Sequence, residues 1–293
     1  MKFVFFGTPE FAAIILEKLI NTGYVPVAVV CNPDRPVGRK KIITPPPAKQ
    51  LLIEKLKDCN IEILQPESID SSFKIQVSNF KPDIFIVAAY SQIIPKEILE
   101  IPRLGTIGVH PSLLPKYRGS SPIQSAILNG DEETGVSLYL MDDKMDHGPI
   151  LAQREIKNYS IKDDISIKNR YELRIMNYEN LLKNLAELSA DLLIETLPKF
   201  LKGEINPLPQ DESQATYTKK FITEDGRVDL KKDNPLLIER KIRALNPEPG
   251  VFTFIDGKRV KLLEAKISDG KIVITKTQIE GKKPQESSMI IQR

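Results

Sequence analysis

The first half of the chain alternates apolar runs with segments of helical periodicity. Short apolar runs such as Lys2–Phe6 and Ile84–Ala89 lack polar alternation, so they predict strands that are buried on both faces of a sheet. Glu10–Thr22 lies between such runs and has apolar residues at the spacing of one helix face. This alternation predicts an α/β fold with a doubly wound, mostly parallel, Rossmann-like sheet.

Further elements of the same two kinds complete the first half. The predicted strands are Val25–Cys31, Ile61–Leu64 and Gly105–Val109, and the predicted helices are Pro47–Lys57, Ser71–Phe80 and a short one around Ile98. Ligands of parallel sheets bind beyond the carboxyl ends of the strands. The segments that directly follow the strands are therefore the first candidates for function: residues 7–11, 32–45, 89–95 and 110–122.

The second half has a different pattern. A strand pair is predicted at Val136–Met141 and Ile150–Ile156, followed by a long helix at Glu172–Phe200. The polar stretch 202–218 contains two prolines and predicts an interdomain linker. We therefore predict two domains, residues 1–203 and residues 204–293.

The predicted second domain is small and rich in hairpins. One helix and three strands are predicted in it, at Pro235–Ala244, Phe252–Ile255, Arg259–Ala265 and Lys271–Thr277. Asp256-Gly257 and Asp269-Gly270 separate these strands, and Asp-Gly pairs are strong hairpin signals. A small, OB-like β-barrel is the predicted closure of such a module.

The composition is that of a soluble globular protein. The 293 residues are 41% hydrophobic and 28% charged. No apolar run approaches the ~20 residues that a membrane helix needs, and the N-terminal MKFVFFGTPEF has no signal-peptide cleavage pattern. We therefore expect a cytoplasmic protein without a membrane partner. Cys31 and Cys59 lack any CxxC spacing and are expected to be free thiols in the core.

The richest candidate segment is Gly108–Pro122, which directly follows a predicted buried strand. It holds His110, one of only two histidines in the chain; the other is His147. Its prolines make the loop rigid, and rigid loops at strand ends position catalytic groups. His110 could instead merely cap the strand, but its position, the rigid loop and the scarcity of histidine favour a catalytic role.

A second candidate is the acidic loop that contains Asp142, Asp143 and Asp146. Its carboxylates could form a solvated turn, bind a metal, or include one that orients His110. Sequence spacing does not decide among these three readings. No second ligand cluster accompanies the loop, so we expect no metal. The sequence also lacks the motifs of a phosphate cradle and of a nucleophile elbow.

Positive charge is concentrated in two places. The chain as a whole is nearly balanced, with 42 basic and 39 acidic residues. From residue 200 onwards, 18 lysines and arginines stand against 14 acidic residues, so the second domain is mildly basic. The loop 33–47 adds a local cluster of cations: Arg35, Arg39, Lys40 and Lys41. At this stage an anionic partner and a solubilising loop are equal alternatives for that cluster.

Taken together, these stretches resemble the methionyl-tRNA formyltransferases, a branch of the folate-dependent formyltransferase family, from end to end. The matching stretches are FFGTPEFAA, NPDRPVGRKK, ILQPESI, residues 105–146 and RALNPEPGVFTF. The SLLP signature at Ser112–Pro115 is specific to the folate-dependent formyltransferases as a group. The NPDRPVGRKK loop and the second domain narrow the resemblance to the tRNA-acting branch.

The resemblance implies that a formyl group passes from 10-formyltetrahydrofolate to the amino group of methionyl initiator tRNA. It implies that His110 is the catalytic histidine and that Asp146 orients it and helps to deprotonate the amine. It places the folate site at Ser112, Leu113, Leu114, Pro115, Ala89 and Tyr90. The loop around Arg39 would meet the acceptor end of the tRNA, and the second domain would lie along its backbone. No metal is needed, and we expect a monomer.

The chain departs from the family pattern in several places. The family motif Asn-x-His is Gly-Val-His at residues 108–110, and the loss of one oxyanion donor typically costs around 100- to 1,000-fold in rate. Another donor could substitute for that amide: a water in the space that Gly108 leaves, the side chain of Ser91, or the side chain of Gln92. Without such a substitute, the enzyme is slow or inactive. Ser91 also replaces a usual glycine. The last domain is short, so we expect a reduced or partly open barrel, and the segment 161–178 is longer and more polar than its family counterpart.

Two rival functions stay open from the sequence alone. One is a formyltransferase acting on a nucleotide-linked amino sugar, which would need neither the basic loop nor this second domain. The other is a catalytically impaired tRNA-binding homologue, because Gly108 stands in the position of the asparagine. His110, Asp146 and the SLLP signature argue against full loss of activity.

Overall fold

The computed structural model describes residues 1–38, 40–56, 60–156, 176–268 and 271–291. Four features of the sequence fall outside these ranges in whole or in part: Arg39, Cys59, the Asp269-Gly270 turn and the segment 161–178. None of the described helices is both long and apolar enough to cross a bilayer.

The secondary structure follows the predicted order, with most ends shifted by a few residues. The helices are α1 Glu10–Asn21, α2 Pro47–Lys55, α3 Ser71–Ser78, α4 Lys96–Leu99, α5 Pro122–Asn129, α6 Tyr178–Leu201 and α7 Pro235–Leu245. The strands are β1 Phe3–Gly7, β2 Ala28–Val30, β3 Arg35–Val37, β4 Ile42–Thr44, β5 Glu62–Leu64, β6 Ile84–Ala88, β7 Thr106–His110, β8 Arg118–Gly119, β9 Gly135–Leu140, β10 Ile150–Glu155, β11 Tyr217–Thr218, β12 Phe252–Ile255, β13 Lys258–Ser268, β14 Lys271–Ile279 and β15 Gln285–Ile291. The sequence did not predict α5, β15 or the hairpin of β3 and β4.

Contacts between residues divide the described chain into two compact units. The first comprises residues 1–118, 135–156 and 183–216, apart from the gaps given above, and the second comprises 119–134, 176–182, 217–268 and 271–291. The predicted boundary at residue 203 divides the chain differently, because residues 204–216 contact the first unit.

The first unit is built on one seven-stranded sheet of order β10-β9-β7-β6-β1-β2-β5. The pairs from β7 to β5 are all parallel, whereas β9 is antiparallel to both of its neighbours, β7 and β10. Every residue of β1, β6 and β7 is buried, as the unbroken apolar runs predict. The doubly wound, mostly parallel fold is thus confirmed. Strand order reverses at the β1–β6 pair, which is where such sheets bind their ligands, beyond the carboxyl ends.

The second unit centres on a four-stranded antiparallel sheet of order β12-β13-β14-β15. The amphipathic helix α7 buries Ile238 and Ile242, and the sheet buries Leu262, Ile272 and Ile274, so one apolar face of each element forms a core. Within the described residues, no pairing between the edge strands closes this sheet. The second unit is therefore a small antiparallel sheet with one covering helix layer.

One helix start in the first unit predicts a measurable pH effect. The Asp70 carboxylate caps α3, and hydrogen bonds from Ser72, Phe73 N–H and Ser68 lower the pKa of Asp70 from 3.8 to about 2. A lowered pKa in the folded state means that the contribution of this cap is complete above pH 3.8 and is lost as the pH falls towards 2. Asp70→Asn keeps a capping side chain that does not titrate. We therefore expect urea midpoints of the wild type to fall relative to Asp70→Asn as the pH is lowered from 4 to 2, and a constant difference over that range would contradict the assignment.

Candidate active site

His110 is the last residue of β7, and a hydrogen bond to the backbone holds its ring. Its side chain is almost fully buried, with 6% of the residue exposed. Nε2 lies 2.8 Å from the backbone oxygen of Tyr117. A carbonyl oxygen only accepts hydrogen bonds, so Nε2 carries the proton and donates it there. In the neutral imidazole, Nδ1 therefore holds the lone pair and can act as a base.

Asp146 is the group that faces this base. It lies in the loop between β9 and β10, and its Oδ2 is 3.6 Å from Nδ1 of His110. A proton taken up by Nδ1 would therefore lie next to the Asp146 carboxylate. The fold thus brings together the two residues that the family resemblance paired, although they are far apart along the chain. Nothing in their spacing alone required this.

The rest of the acidic loop has a different arrangement. Asp142 Oδ2 lies 2.6 Å from Nδ1 of His147, and Asp142 Oδ1 accepts a hydrogen bond from the backbone of Lys144. The loop therefore contains both a turn built on Asp142 and a carboxylate that reaches His110. Within the described residues, no three His, Cys, Asp or Glu side chains are grouped so that they could hold a metal ion.

Gly108 lies directly opposite Tyr139 in the antiparallel pairing of β7 and β9. A Cβ atom on residue 108 would be 2.5 Å from Cζ of Tyr139 and 2.8 Å from its hydroxyl oxygen, which is far inside van der Waals contact. The tyrosine ring therefore fills the space that a side chain at 108 would need. The expectation of a water in that space is wrong, because the ring occupies it.

Tyr139 is the main residue at this site that the sequence did not single out. Its hydroxyl donates a hydrogen bond of 2.7 Å to Oδ1 of Asp146. Burial, followed by the nearby Asp146 charge, raises the pKa of Tyr139 well above its usual value, so the hydroxyl keeps its proton. The one available signal was a tyrosine inside a buried strand opposite a glycine. That signal requires the strand register, which the sequence does not supply.

The other two proposed substitutes for the amide have partners elsewhere. The Ser91 hydroxyl accepts a hydrogen bond of 2.7 Å from the side chain of Asn32. Gln92 donates its side-chain N–H to the backbone oxygen of Pro66 at 3.0 Å. These hydrogen bonds of Ser91 and Gln92 therefore involve neither His110 nor Asp146.

The SLLP segment forms a fixed loop after β7. Ser112 and Leu114 are buried, whereas Leu113 and Pro115 are half-buried. The Ser137 hydroxyl ties this loop to β9, since it donates to the Ser112 backbone oxygen at 2.7 Å and accepts from the Leu114 N–H at 2.9 Å. The loop is therefore pre-shaped by the sheet, as a rigid binding loop requires.

Ala89 and Tyr90 follow β6, the strand next to β7. Ala89 is exposed and has a φ of +51°, a left-handed conformation that residues other than glycine seldom adopt. Asp146 and Tyr117 share this conformation, with φ of +49° and +62°. Such strained positions cluster at functional sites. Tyr90 packs edge-on against Phe6 with 5.6 Å between ring centroids, which leaves the backbone of Ala89 at the carboxyl edge of the sheet.

The segment predicted as a linker braces this site. Arg118 is only 1% exposed and donates to Gln210 at 2.8 Å and to Glu212 at 2.6 Å. Gln210 in turn donates to the backbone oxygens of Asp146 and Gly148, at 2.9 and 2.8 Å. The sequence offered no signal for Gln210, because a polar residue that closely follows two prolines has the composition of a linker.

Removal of the Gln210 side chain is expected to lower the stability of the protein. Gln210→Leu removes the donor to two backbone carbonyls in the acidic loop and an acceptor of the buried Arg118. We expect the free energy of unfolding to fall by about 3–5 kcal/mol, roughly 1 for each carbonyl and more for the charged guanidinium. The matched control is Gln214→Leu, since Gln214 is exposed and bonds only locally to Asp211. Urea unfolding of the two variants measures the difference, and equal midpoints would show that the brace adds nothing.

The basic loop forms an exposed hairpin. β3 and β4 pair antiparallel, with Arg35 opposite Thr44 and Val37 opposite Ile42. Arg35 forms an exposed ion pair of 2.6 Å with Glu67, and Lys40 and Lys41 are exposed near the tip. The hairpin also exposes apolar side chains at Val37, Ile42 and Ile43. The hairpin thus presents both cations and apolar side chains to solvent.

Comparison with known proteins gives matches to both halves of the chain. Residues 1–194 match the model described as formyl transferase, and residues 220–272 match the model described as formyl transferase, C-terminal domain. A methionyl-tRNA formyltransferase of Levilactobacillus brevis is 41% identical over 269 residues, which cover 92% of this chain and 80% of that protein. One from Kosmotoga olearia is 43% identical over 270 residues, 92% of this chain and 81% of that protein.

Solved structures show the same fold at low identity. A methionyl-tRNA formyltransferase from Clostridium thermocellum aligns with a TM-score of 0.60 at 19% identity, over 95% of this chain and 98% of that one. HypX from Aquifex aeolicus, in complex with tetrahydrofolic acid, aligns with a TM-score of 0.62 at 18% identity, over 98% of this chain and 46% of that one.

Proposed function

This chain belongs to the formyl transferase family, in the group of the methionyl-tRNA formyltransferases, and from this premise we propose that it formylates the amino group of methionyl initiator tRNA. The formyl donor is a folate, which we propose to be 10-formyltetrahydrofolate. The observation that carries the proposal is the pairing of His110 with Asp146 at the carboxyl edge of the sheet. We further propose that it acts in the cytoplasm as a monomer.

The geometry supports a base-assisted acyl transfer. The methionine amine attacks the formyl carbon, a C–N bond forms, and the C–N bond to the folate breaks. Nδ1 of His110 takes the proton that the attacking amine loses and returns it to the leaving folate nitrogen. Asp146 stabilises the intermediate imidazolium. This sequence of steps uses only groups of the chain and its two substrates.

We assign the folate to the carboxyl ends of β6 and β7. Ser112, Leu113, Leu114 and Pro115 line one side, and the backbone of Ala89 and Tyr90 lines the other. The fixed conformation of the SLLP loop and the exposed, left-handed Ala89 support this assignment. The complex of HypX with tetrahydrofolic acid shows that a protein of this fold binds a folate.

The tRNA is assigned to the basic hairpin and to residues 204–293. Arg35, Lys40 and Lys41 lie on the exposed hairpin, and Arg39, which lies outside the described residues, belongs to the same loop. The excess of lysine and arginine beyond residue 200 supports contacts with phosphates.

A charge-removal variant tests the role of the hairpin. Lys40→Ala/Lys41→Ala is expected to weaken tRNA binding and to reduce the slope of log affinity against log salt by about 2, one per lost phosphate contact. Lys55→Ala/Lys96→Ala removes the same charge from exposed positions in α2 and α4 and serves as the control. Filter binding at several salt concentrations measures both slopes. Equal slopes for the two variants would remove the hairpin from the interface.

Direct formylation separates this function from its rivals. We expect the wild-type chain to formylate charged initiator tRNA in a single turnover, to leave nucleotide-linked amino sugars unmodified, and to bind uncharged tRNA more weakly. Formylation of the amino sugar alone would favour the sugar-modifying branch. Binding of tRNA without any formylation would favour the impaired homologue. The exposed basic hairpin and the 41% identity to a methionyl-tRNA formyltransferase favour the tRNA substrate.

A further inference from the structure

Gly108 and Tyr139 form one structural unit across two strands. They are direct partners in the β7–β9 ladder, so their side-chain positions lie on the same face of the sheet. The glycine provides the space that the tyrosine ring fills. Only this absence of a side chain at 108 lets the ring extend along β7 towards the end of the strand, where His110 lies two residues further on.

The tyrosine ring ends in a hydrogen bond that continues to the catalytic pair. The Tyr139 hydroxyl donates to Oδ1 of Asp146 at 2.7 Å, and the other oxygen of that carboxylate, Oδ2, is 3.6 Å from Nδ1 of His110. The two oxygens of one carboxylate thus have separate tasks. One accepts from a neutral, buried donor, and the other faces the imidazole.

A purely space-filling role would not need the hydroxyl. Phenylalanine would fill the same volume, and burying a hydroxyl costs free energy unless it is hydrogen-bonded. Tyr139 is 3% exposed, so water does not satisfy this group. The other nearby carboxylate, Asp142, is occupied by His147. The hydroxyl is therefore committed to Asp146.

We propose that Tyr139 is a positioning residue, whose hydroxyl holds the Asp146 carboxylate beside Nδ1 of His110, and that Gly108 is present to admit it. The proposal deepens the formyl transfer proposed above and rests on it for its catalytic consequence. Asp146 lies in a loop at a strained φ, so a fixed donor keeps its carboxylate oriented. A polar side chain at position 108 is then not needed in the series of contacts that joins Tyr139, Asp146 and His110.

The test is Tyr139→Phe, which keeps the ring and removes only the hydroxyl. Because the chain has two histidines, labelling of histidine gives two sets of ring NMR signals, and His147→Gln assigns them. At a fixed pH, we expect the ring nitrogen chemical shifts of His110 in Tyr139→Phe to move towards their values in Asp146→Asn, since the carboxylate that faces Nδ1 turns away. Tyr24→Phe, a tyrosine that follows α1 in the same unit, is the matched control and should leave these signals unchanged.

Kinetics provide the second readout. The single-turnover rate of formylation is expected to fall about 10- to 100-fold in Tyr139→Phe, the usual loss for one hydrogen bond to a charged group, while KM for the tRNA stays near that of the wild type. In the Asp146→Asn background, Tyr139→Phe should have no further effect on either readout, because the group that it holds has lost its charge.

The outcomes separate this proposal from the proposed function. Ring signals of His110 that are unchanged in Tyr139→Phe overturn the positioning role, and so does an unchanged rate in Tyr139→Phe when the wild type formylates tRNA. A wild type that does not formylate charged tRNA overturns the proposed function. In that case the His110 signals still decide whether Tyr139 holds Asp146, since they do not depend on activity.

Discussion

Replacement of His110 by alanine is expected to lower the single-turnover rate of formyl transfer to charged tRNA by about 100- to 10,000-fold, the range that general acid–base catalysis supplies. The reason is that Nδ1 is the base that faces the Asp146 carboxylate, at 3.6 Å, and alanine offers no proton acceptor in its place. Rapid-quench measurement with preformed enzyme–tRNA complex isolates this step from binding.

The matched control for His110→Ala is His147→Gln, at the only other histidine of the chain. His147 pairs with Asp142 at 2.6 Å, and we assign it no part in the proton transfer, so its variant should stay near the wild-type rate. Thermal unfolding of both variants shows whether loss of the buried hydrogen bond to Tyr117 affects folding. Unchanged formylation by a folded His110→Ala would falsify the catalytic assignment.

Gly108→Asn is expected to lose both stability and activity, even though it restores the amide of the family motif. Any Cβ at this position meets the Tyr139 ring at 2.5 Å from Cζ, and overpacking of this kind costs about 1–3 kcal/mol. A displaced ring also takes its hydroxyl away from Asp146, so we expect the single-turnover rate to fall by at least about tenfold. Urea unfolding and single-turnover formylation measure the two losses.

A second substitution separates the steric clash at residue 108 from the loss of the Tyr139 hydroxyl. In Gly108→Asn/Tyr139→Leu the smaller side chain vacates the space, so we expect the stability lost in Gly108→Asn to return, while the rate stays low because leucine lacks the hydroxyl that holds Asp146. The effects of the two substitutions on stability are then not additive, because the two side chains compete for the same space. A rate gain in the single Gly108→Asn variant would mean that the ring moves aside without cost and that the amide alone had been missing.

The sequence predicted the fold of the first unit because its signals are local. Unbroken apolar runs such as Ile84–Ala88 and the helical period of α1 are visible in any single stretch of chain. The same holds for His110, whose position after a buried strand marked it as a candidate. Asp146 was reachable only as one of three carboxylates, and the resemblance rather than spacing selected it.

The features that the sequence did not predict depend on register and on long-range contacts. Tyr139 gained its significance from lying opposite Gly108, and a shift of one residue in the ladder would have turned it to the other face. Gln210 reaches the backbone of Asp146 from 64 residues away, and no local pattern encodes such a contact. The exposed β3–β4 hairpin was missed because its strands are short and solvent-facing, so burial leaves no trace in their composition.

The contacts of Gln210 and Glu212 have a consequence for how this chain can be cut and made. A fragment that ends at residue 203 would contain His110, Asp146 and Tyr139 but would lack the partners that Arg118 and the Asp146 loop find at positions 210 and 212. During synthesis on the ribosome, the Asp146 loop likewise gains these partners late, once about a hundred residues beyond His110 have been made. A fragment that is meant to keep this site intact should therefore include residues 210 and 212.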